Sequence, residues 1–419
     1  MKKIREMLTT KKFYEVTFIA IVLMSFVIWL SLIFIEGNVS EQFSIFFNKC
    51  GDFLADTLNV VGYSSQRDAY ENTMYTGVWE KAYPPLTYML MYLLSRLVDM
   101  NTYYDMDYFL YMYFEPKFLI IFMICLFICL IAMYEAIRHN KTGSNTIKIF
   151  AAFAIILSAP ILFTIERANT ILPTLFFVIF YMFNYNSKNK ILKELALISL
   201  AIATAFKITP AILGILLLYN RQWKDALRAV LYGLLIGLLP FLFLEGGFDN
   251  LFLMIRNIKL NNLVYTSDEG CTLLACLVDF GVDSTDVLTA VMKYLTYLIC
   301  ALLFVFAYIY KEKWMTMMAV CMILIILPSH SGYYSIIYVI PALITFLNQE
   351  THRARDIIIL FAFLLIFQNV QGWMRDYLFN YHLAIIIIVL FLLIEGVIRL
   401  RDVLKGKRMS KKEILQENA

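Results

Sequence analysis

What the sequence lacks first is charge. Only 16% of its 419 residues are charged, against roughly 25% in soluble globular chains. A soluble protein of this length has too much surface to leave so little charge outside. That excludes a cytosolic enzyme, a disordered chain and a nucleic-acid binder with a basic face. The net charge of +4 implies no strongly acidic or basic partner. Histidine is scarce too: His139, His330, His352 and His382 are too scattered for an H-x-x-x-H zinc site. The 7 cysteines contain no C-x-x-C pair. Phosphate-cradling G-x-x-x-x-G-K-[ST] and G-x-G-x-x-G patterns are missing. Neither a metal nor a cofactor is therefore indicated. The 9 prolines and 16 glycines suit long helices and form no linker between domains.

What is present is apolar: 61% of the residues are hydrophobic and the mean hydropathy is +0.71. This excess must face lipid, so the chain reads as an all-α, polytopic membrane protein. The first apolar run, Tyr14–Ile35, has about the 20 residues a bilayer requires. It lacks the short core and small-residue cleavage site of a signal peptide. Further runs lie near 117–137, 149–165, 170–183, 194–206, 209–219, 229–244, 290–310, 315–328, 332–347, 357–370 and 381–399. About 12 transmembrane helices are expected. The shorter ones are tolerated when packed against protein or lining a cavity.

The sparse charges sort by side. Lys and Arg in short loops mark the cytoplasmic face. Basic residues concentrate at 2–12, 138–148, 188–193, 221–228, 311–313 and 353–355, and again at 399–412. The two long hydrophilic stretches, 36–83 and 245–289, are acidic instead. They are expected outside, with both termini cytoplasmic in a plasma membrane. Residues 1–399 then form one membrane domain, 36–83 and 245–289 its two outer loops, and 400–419 a basic cytoplasmic tail. Residues 84–116 must cross twice or not at all, as two short spans or a re-entrant hairpin. Cys271 and Cys276 share the second outer loop and either bridge in an oxidising compartment or stay as separate thiols.

Charge at membrane depth is costly and so a functional hypothesis by default. Three polar breaks qualify, all projecting to the outer face. Glu166-Arg167-Ala168-Asn169 is either a solvated helix turn or part of a site. Lys207 precedes Pro210, which breaks the helix; the lysine either snorkels to water or meets a phosphate as a point charge. Pro328 to Tyr334 contains Ser329, His330 and Ser331 and is a loop or a polar cavity wall. In the loop 36–83, Asp52 and Asp56 are four apart. On a helix they share a face and would serve as a general base, hold a metal or form the wet side of an amphipathic helix.

Asp52-Phe53, then Asp68-Ala69-Tyr70, then Tyr83-Pro84-Pro85-Leu86 resemble the first outer loop of GT-C-type glycosyltransferases. In particular they resemble glycosyltransferase family 87, the polyprenol-phosphate-mannose-dependent mannosyltransferases and their relatives. Downstream, Asn169 resembles the end of that family's Gly-Gln-Asn break, with Arg167-Ala168 in place of Gly-Gln. Lys207-Ile208-Thr209-Pro210 resembles its Lys-x-x-Pro hairpin, and Pro328-Ser329-His330 a late Pro–His region one residue shorter. The similarity runs from about residue 14 to 345.

The resemblance implies a GT-C fold whose first outer loop carries short amphipathic helices. It implies inverting transfer of a mannose-like hexose from a polyprenyl-phosphate donor to a lipid- or glycan-linked acceptor. Asp52 is expected as general base, with Asp56 as the second candidate. Lys207, Arg167 and His330 are expected at the donor phosphate, and Tyr70, Tyr83 and Asn169 around the sugar pocket. The expected partners are thus donor, acceptor and bilayer, with no nucleic acid. A lipid-linked-sugar transporter or flippase would show symmetric halves and midplane charges, which this sequence does not. A polysaccharide polymerase would carry a larger late outer loop than 245–289.

Overall fold

The computed structural model describes residues 8–36, 54–72, 77–98, 115–264, 270–328, 331–370 and 377–417. Among these residues the fold is all helix, with isolated β-bridges but no strand. Five helices are long and apolar enough to cross a membrane: Lys11–Ile35, Pro116–Asn140, Trp223–Phe243, Asp286–Ile309 and Phe379–Lys405. A sixth span exists if the pair Asn145–Ile156 and Ala159–Arg167, bent by 49°, is counted as one. Apolar side chains on the long helices stay exposed at helical spacing, as at Ile120, Ile124, Phe127 and Ile131 or Leu227, Val230 and Leu234. In a membrane protein this is a lipid-facing stripe.

The helices are labelled in chain order as α1 (Lys11–Glu36), α2 (Ala55–Tyr63), α3 (Pro85–Ser95), α4 (Pro116–Asn140), α5 (Asn145–Ile156), α6 (Ala159–Arg167), α7 (Ile171–Asn184), α8 (Lys190–Phe206) and α9 (Ile215–Tyr219). They continue as α10 (Trp223–Leu238), α11 (Asn250–Val264), α12 (Leu273–Asp279), α13 (Asp286–Ile309), α14 (Lys313–Ile326), α15 (Ile340–Leu347), α16 (Ile357–Phe367) and α17 (Tyr377–Glu417). Local chemistry sets several boundaries. Ser144, Asn189, Thr272 and Thr285 cap α5, α8, α12 and α13, each side chain accepting from backbone N–H groups of the first turn; those donors have no partner inside the helix. Proline opens α3, α4 and α6, where its missing N–H costs nothing. The α5–α6 bend falls at Leu157–Ser158, beside Pro160. The side chain of Asn369 completes the interrupted ladder there, donating to the Leu157 carbonyl at 2.7 Å and accepting from Ala159 N–H at 3.0 Å.

The core centres on α14, in which every residue from Met317 to Ile326 is buried. An apolar helix with no polar face has to be surrounded by others. α15 and α16 are buried nearly as fully. A second, smaller apolar cluster joins Leu54, Leu58, Val61, Tyr70 and Tyr88 to Phe118, Phe122, Phe241 and Met254. It packs α2, Tyr70, α3 and the first turns of α4 against the α10–α11 connection and α11.

α4 shows the polarity of the molecule. Its first turns belong to this small cluster, and its last residue lies about 37 Å away at 1.5 Å per residue, where basic loops meet. There Lys11 pairs with Glu350 at 2.6 Å, His352 N–H donates to the Thr9 carbonyl at 3.0 Å, and Thr142 N–H donates to Asn348 Oδ1 at 2.8 Å. Lys141 and Glu15 form a buried ion pair at the same end. Removing one partner of a buried pair strands the other charge, at a cost of about 3–5 kcal/mol. Glu15→Ala is therefore expected to lower the thermal unfolding midpoint of the detergent-solubilised protein strongly. An unshifted midpoint would show that the pair carries no stability.

Within 84–98, α3 occupies Pro85–Ser95, and its 11 residues reach about 16 Å, roughly half the hydrocarbon thickness of a bilayer. The Thr87 hydroxyl donates to the Phe206 carbonyl at 3.1 Å and Arg96 donates to the Ser65 carbonyl, so both ends are held by neighbouring protein. The rest of that stretch, 99–114, lies outside the described residues. Cys271 and Cys276 are buried free thiols rather than a disulfide. α17 continues through residues 400–417, within the segment read as a basic tail.

Candidate functional site

A cavity beside the small apolar cluster measures about 990 Å³. Its wall includes residues from the 36–83 stretch and from each of the three polar breaks: Asp56, Tyr83, Arg167, Lys207 and the segment Ser331–Ser335. Side chains that are distant in sequence thus share one depression.

The α6–α7 turn organises the first part. α6 ends at Arg167, and Ala168 takes a left-handed conformation (φ 50°). The carbonyls of this turn hold the start of α2: Leu54 N–H donates to Glu166 O at 2.7 Å, and the Thr57 hydroxyl donates to Ala168 O. Asp56 is thereby brought over the turn. Arg167 grips its Oδ1 through Nη2 at 2.6 Å and Nε at 3.2 Å, and Asn169 Nδ2 donates to Oδ2 at 2.6 Å. The Asn169 amide is itself oriented, because its Oδ1 accepts from Ile171 N–H at 2.9 Å. Asp56 so accepts three hydrogen bonds, of the about four a carboxylate can take.

Lys207 ends α8 in an extended conformation, where the chain breaks before the short turn Thr209–Gly214. It lies between the helices and outside both. Its Nζ is 4.8 Å from the centre of the Tyr334 ring and 5.4 Å from that of Tyr83. The two aromatic faces partly replace the water that the ammonium loses. Burial still pushes its pKa down to about 8 against the pull of the Asp56 carboxylate. The same burial raises the Tyr83 phenol well above its ordinary value, so Tyr83 is a neutral hydroxyl at physiological pH.

The expected pocket residues separate into layers. Tyr83 is on the cavity wall. Tyr70, expected beside it, stands one layer behind, its hydroxyl donating to the Tyr83 carbonyl at 2.7 Å and its ring edge-on to Tyr88 at 4.9 Å. Asn169 also sits behind the wall, as the support of Asp56. Asp52 and His330 lie outside the described residues.

Other wall residues were not anticipated. Tyr63 and Glu80 face the cavity and are joined by a Tyr63 hydroxyl-to-Glu80 Oε2 bond of 2.7 Å. The 245–289 stretch also contributes a wall. Its helix α11 lies on the first loop, where buried Asn257 donates to the carbonyls of Tyr70 and Lys81 at 2.9 and 3.1 Å and Asn261 donates to that of Trp79 at 3.1 Å. Asn261 and Asn262 then reach the cavity. The available signal was the spacing of Asn257 and Asn261, which puts two amides on one helical face.

The Ser331 side of the cavity is braced from behind. Gly270 bridges to Ser331, and Cys271 N–H donates to Ser331 O at 2.7 Å. Gly270 has φ +78°, and a Cβ on it would lie 2.0 Å from Ser331 O, so only glycine fits. His382, at the start of α17, contacts Asp279 through Nδ1 and the Gly270 carbonyl through Nε2, the latter at 2.7 Å. The arrangement as a whole offers two cations, two carboxylates and several neutral hydrogen-bonding groups inside one depression.

The sequence model of glycosyltransferase family 87 matches residues 82–329, more than half of the chain. The match includes Tyr83, Arg167, Asn169, Lys207 and the α11 wall, and begins after Asp56. No curated protein and no solved structure matches the chain.

Proposed function

The chain belongs to glycosyltransferase family 87, and on that premise we propose that it transfers a hexose, mannose-like, from a polyprenyl-phosphate donor to a lipid- or glycan-linked acceptor, with inversion, at the outer face of the plasma membrane. The observation that carries this reading is the meeting of Lys207 and Arg167 with the Asp56 carboxylate in one cavity. Those cations suit a phosphate, and a donor with a lipid tail suits a cavity set among lipid-facing helices.

In the proposed reaction the acceptor oxygen attacks the anomeric carbon while the bond from that carbon to the phosphate oxygen breaks. The electron pair leaves with polyprenyl phosphate, and the acceptor proton passes to Asp52, the general base. Lys207 stabilises the charge that grows on the leaving phosphate. Arg167, turned by Asp56, and His330 assist it. Asp56 has most of its acceptor positions filled and so serves first as the anchor of Arg167 and Asn169. Tyr83 shapes the sugar pocket, and Tyr70 fixes Tyr83.

The same reading gives the membrane arrangement. The shorter apolar helices complete about 12 crossings with both termini cytoplasmic. Residues 1–399 act as one membrane domain with outer loops 36–83 and 245–289, and 400–419 extends into the cytoplasm.

The test is reconstitution in liposomes with a panel of polyprenyl-phosphate sugars and, for contrast, nucleotide sugars. Consumption of a polyprenyl-phosphate hexose with none of the nucleotide sugars is expected. Turnover of nucleotide sugars alone would refute the donor assignment.

A further inference from the structure

The cavity is chemically divided along α2. Asp56, Asn59 and Tyr63 all line it, and their spacing puts them on one helical face. Seven residues separate Asp56 from Tyr63, about 10 Å along the axis. Arg167 and Lys207 gather at the Asp56 end. At the Tyr63 end the charged wall residue is Glu80, whose Oε2 accepts from the Tyr63 hydroxyl at 2.7 Å. α11 closes this end with Asn261, whose amide donates to the carbonyl of Trp79, the residue before Glu80. Nearby Lys81 is buried with its Nζ 4.8 Å above the Tyr63 ring; it is not part of the wall.

We propose that Glu80, with Asn59, Tyr63 and Asn261, forms the acceptor subsite, and that the acceptor group bound there is a neutral, polyhydroxylated sugar rather than a simple lipid alcohol. This rests on the transferase reading above and names its acceptor class. Sugar hydroxyls both donate and accept. A carboxylate takes hydrogen bonds from hydroxyls as charge-assisted contacts, and amides offer a donor and an acceptor together. A plain alkanol has one hydroxyl and would leave most of these groups unmatched, at a cost in binding. The carboxylate and carbonyl groups at this end accept hydrogen bonds, which sugar hydroxyls supply and an ionised phosphate does not, whereas the cations at the Asp56 end attract a phosphate. One cavity thereby distinguishes the phosphate-bearing donor from the acceptor.

The experiment reads binding separately from turnover. The full-length protein in nanodiscs is titrated, without donor, with methyl hexosides and dihexosides, with their phosphate monoesters and with hexanol. Intrinsic fluorescence reports binding, because Trp79 adjoins the subsite. Neutral glycosides are expected to bind, the phosphate esters and hexanol at least about tenfold more weakly. The isosteric Glu80→Gln should weaken neutral-glycoside binding about tenfold or more, and Tyr63→Phe by less, since it removes only the hydroxyl that orients Glu80. In a parallel transfer assay Glu80→Gln should raise acceptor KM with donor KM moved less than about twofold. Equal binding of hexanol or phosphate esters, or an unaltered glycoside affinity in Glu80→Gln, overturns the subsite. Glycoside binding with this selectivity but no sugar transfer by the wild type leaves the subsite standing and overturns the transferase reading instead.

Discussion

Lys207→Ala is expected to lower kcat/KM for the polyprenyl-phosphate donor by about 100- to 1,000-fold, the usual loss when one group that stabilises developing negative charge is removed. The side chain sits in the cavity wall between the Tyr83 and Tyr334 rings, so its truncation strands no buried ion-pair partner and should leave the fold intact. Acceptor affinity should hardly move. The pH dependence gives a second readout. Burial lowers the Lys207 pKa from 10.5 to about 8, so the donor-free enzyme loses its ammonium as pH rises through that value. Donor kcat/KM should therefore fall above about pH 8. Stability should move the other way: between about pH 8 and 10.5 the unfolded chain binds the extra proton, so this residue's contribution to stability increases with pH. Activity lost while stability is gained separates titration of Lys207 from alkaline unfolding. Lys207→Arg keeps the charge to far higher pH and should flatten the alkaline fall while retaining part of the activity. An alkaline limb identical in Lys207→Arg would assign it to another group.

Asp52→Asn is expected to reduce transfer by about 100- to 10,000-fold, the range contributed by general-base catalysis, with donor and acceptor binding largely kept. The amide matches the carboxylate in shape but cannot take the acceptor proton. Asp56→Asn should behave differently. Asp56 takes three hydrogen bonds from Arg167 and Asn169, so its replacement frees the guanidinium and should raise donor KM as well as lower kcat. If Asp52→Asn retains full activity in folded protein and Asp56→Asn removes the pH-dependent step, Asp56 is the base.

The sequence made the membrane class legible because 16% charge over 419 residues leaves no other way to solvate the chain. It also pointed to the cavity. Arg167, Lys207 and the Pro328–Tyr334 segment stood out because polar groups in apolar surroundings need a reason, and the fold brings Arg167, Lys207, Pro328 and the stretch from Ser331 to Tyr334 to one depression. Other features were illegible for equally physical reasons. Glu80 and Tyr63 belong to an already polar loop, where one more carboxylate carries no signal; only the fold pairs them. The α11 wall was hidden because 245–289 reads as a hydrophilic connection, and its amides gain meaning only against the carbonyls of Tyr70, Trp79 and Lys81. Asn369 looked like a loop residue, yet it repairs the α5–α6 bend more than 200 positions away. Tyr70 carried the resemblance, but its hydroxyl is spent on the Tyr83 backbone. Residue type thus revealed which groups were unusual, whereas long-range hydrogen bonds decided which of them face the cavity.

The central claim is that sugar leaves a polyprenyl phosphate and becomes covalently attached to an acceptor. The most direct measurement is product mass in sealed liposomes containing the purified protein, a polyprenyl-phosphate hexose and a glycoside acceptor. The prediction is an acceptor heavier by one hexose residue, with one polyprenyl phosphate released for each product formed. Movement of intact donor between leaflets, with acceptor mass unchanged, would contradict it.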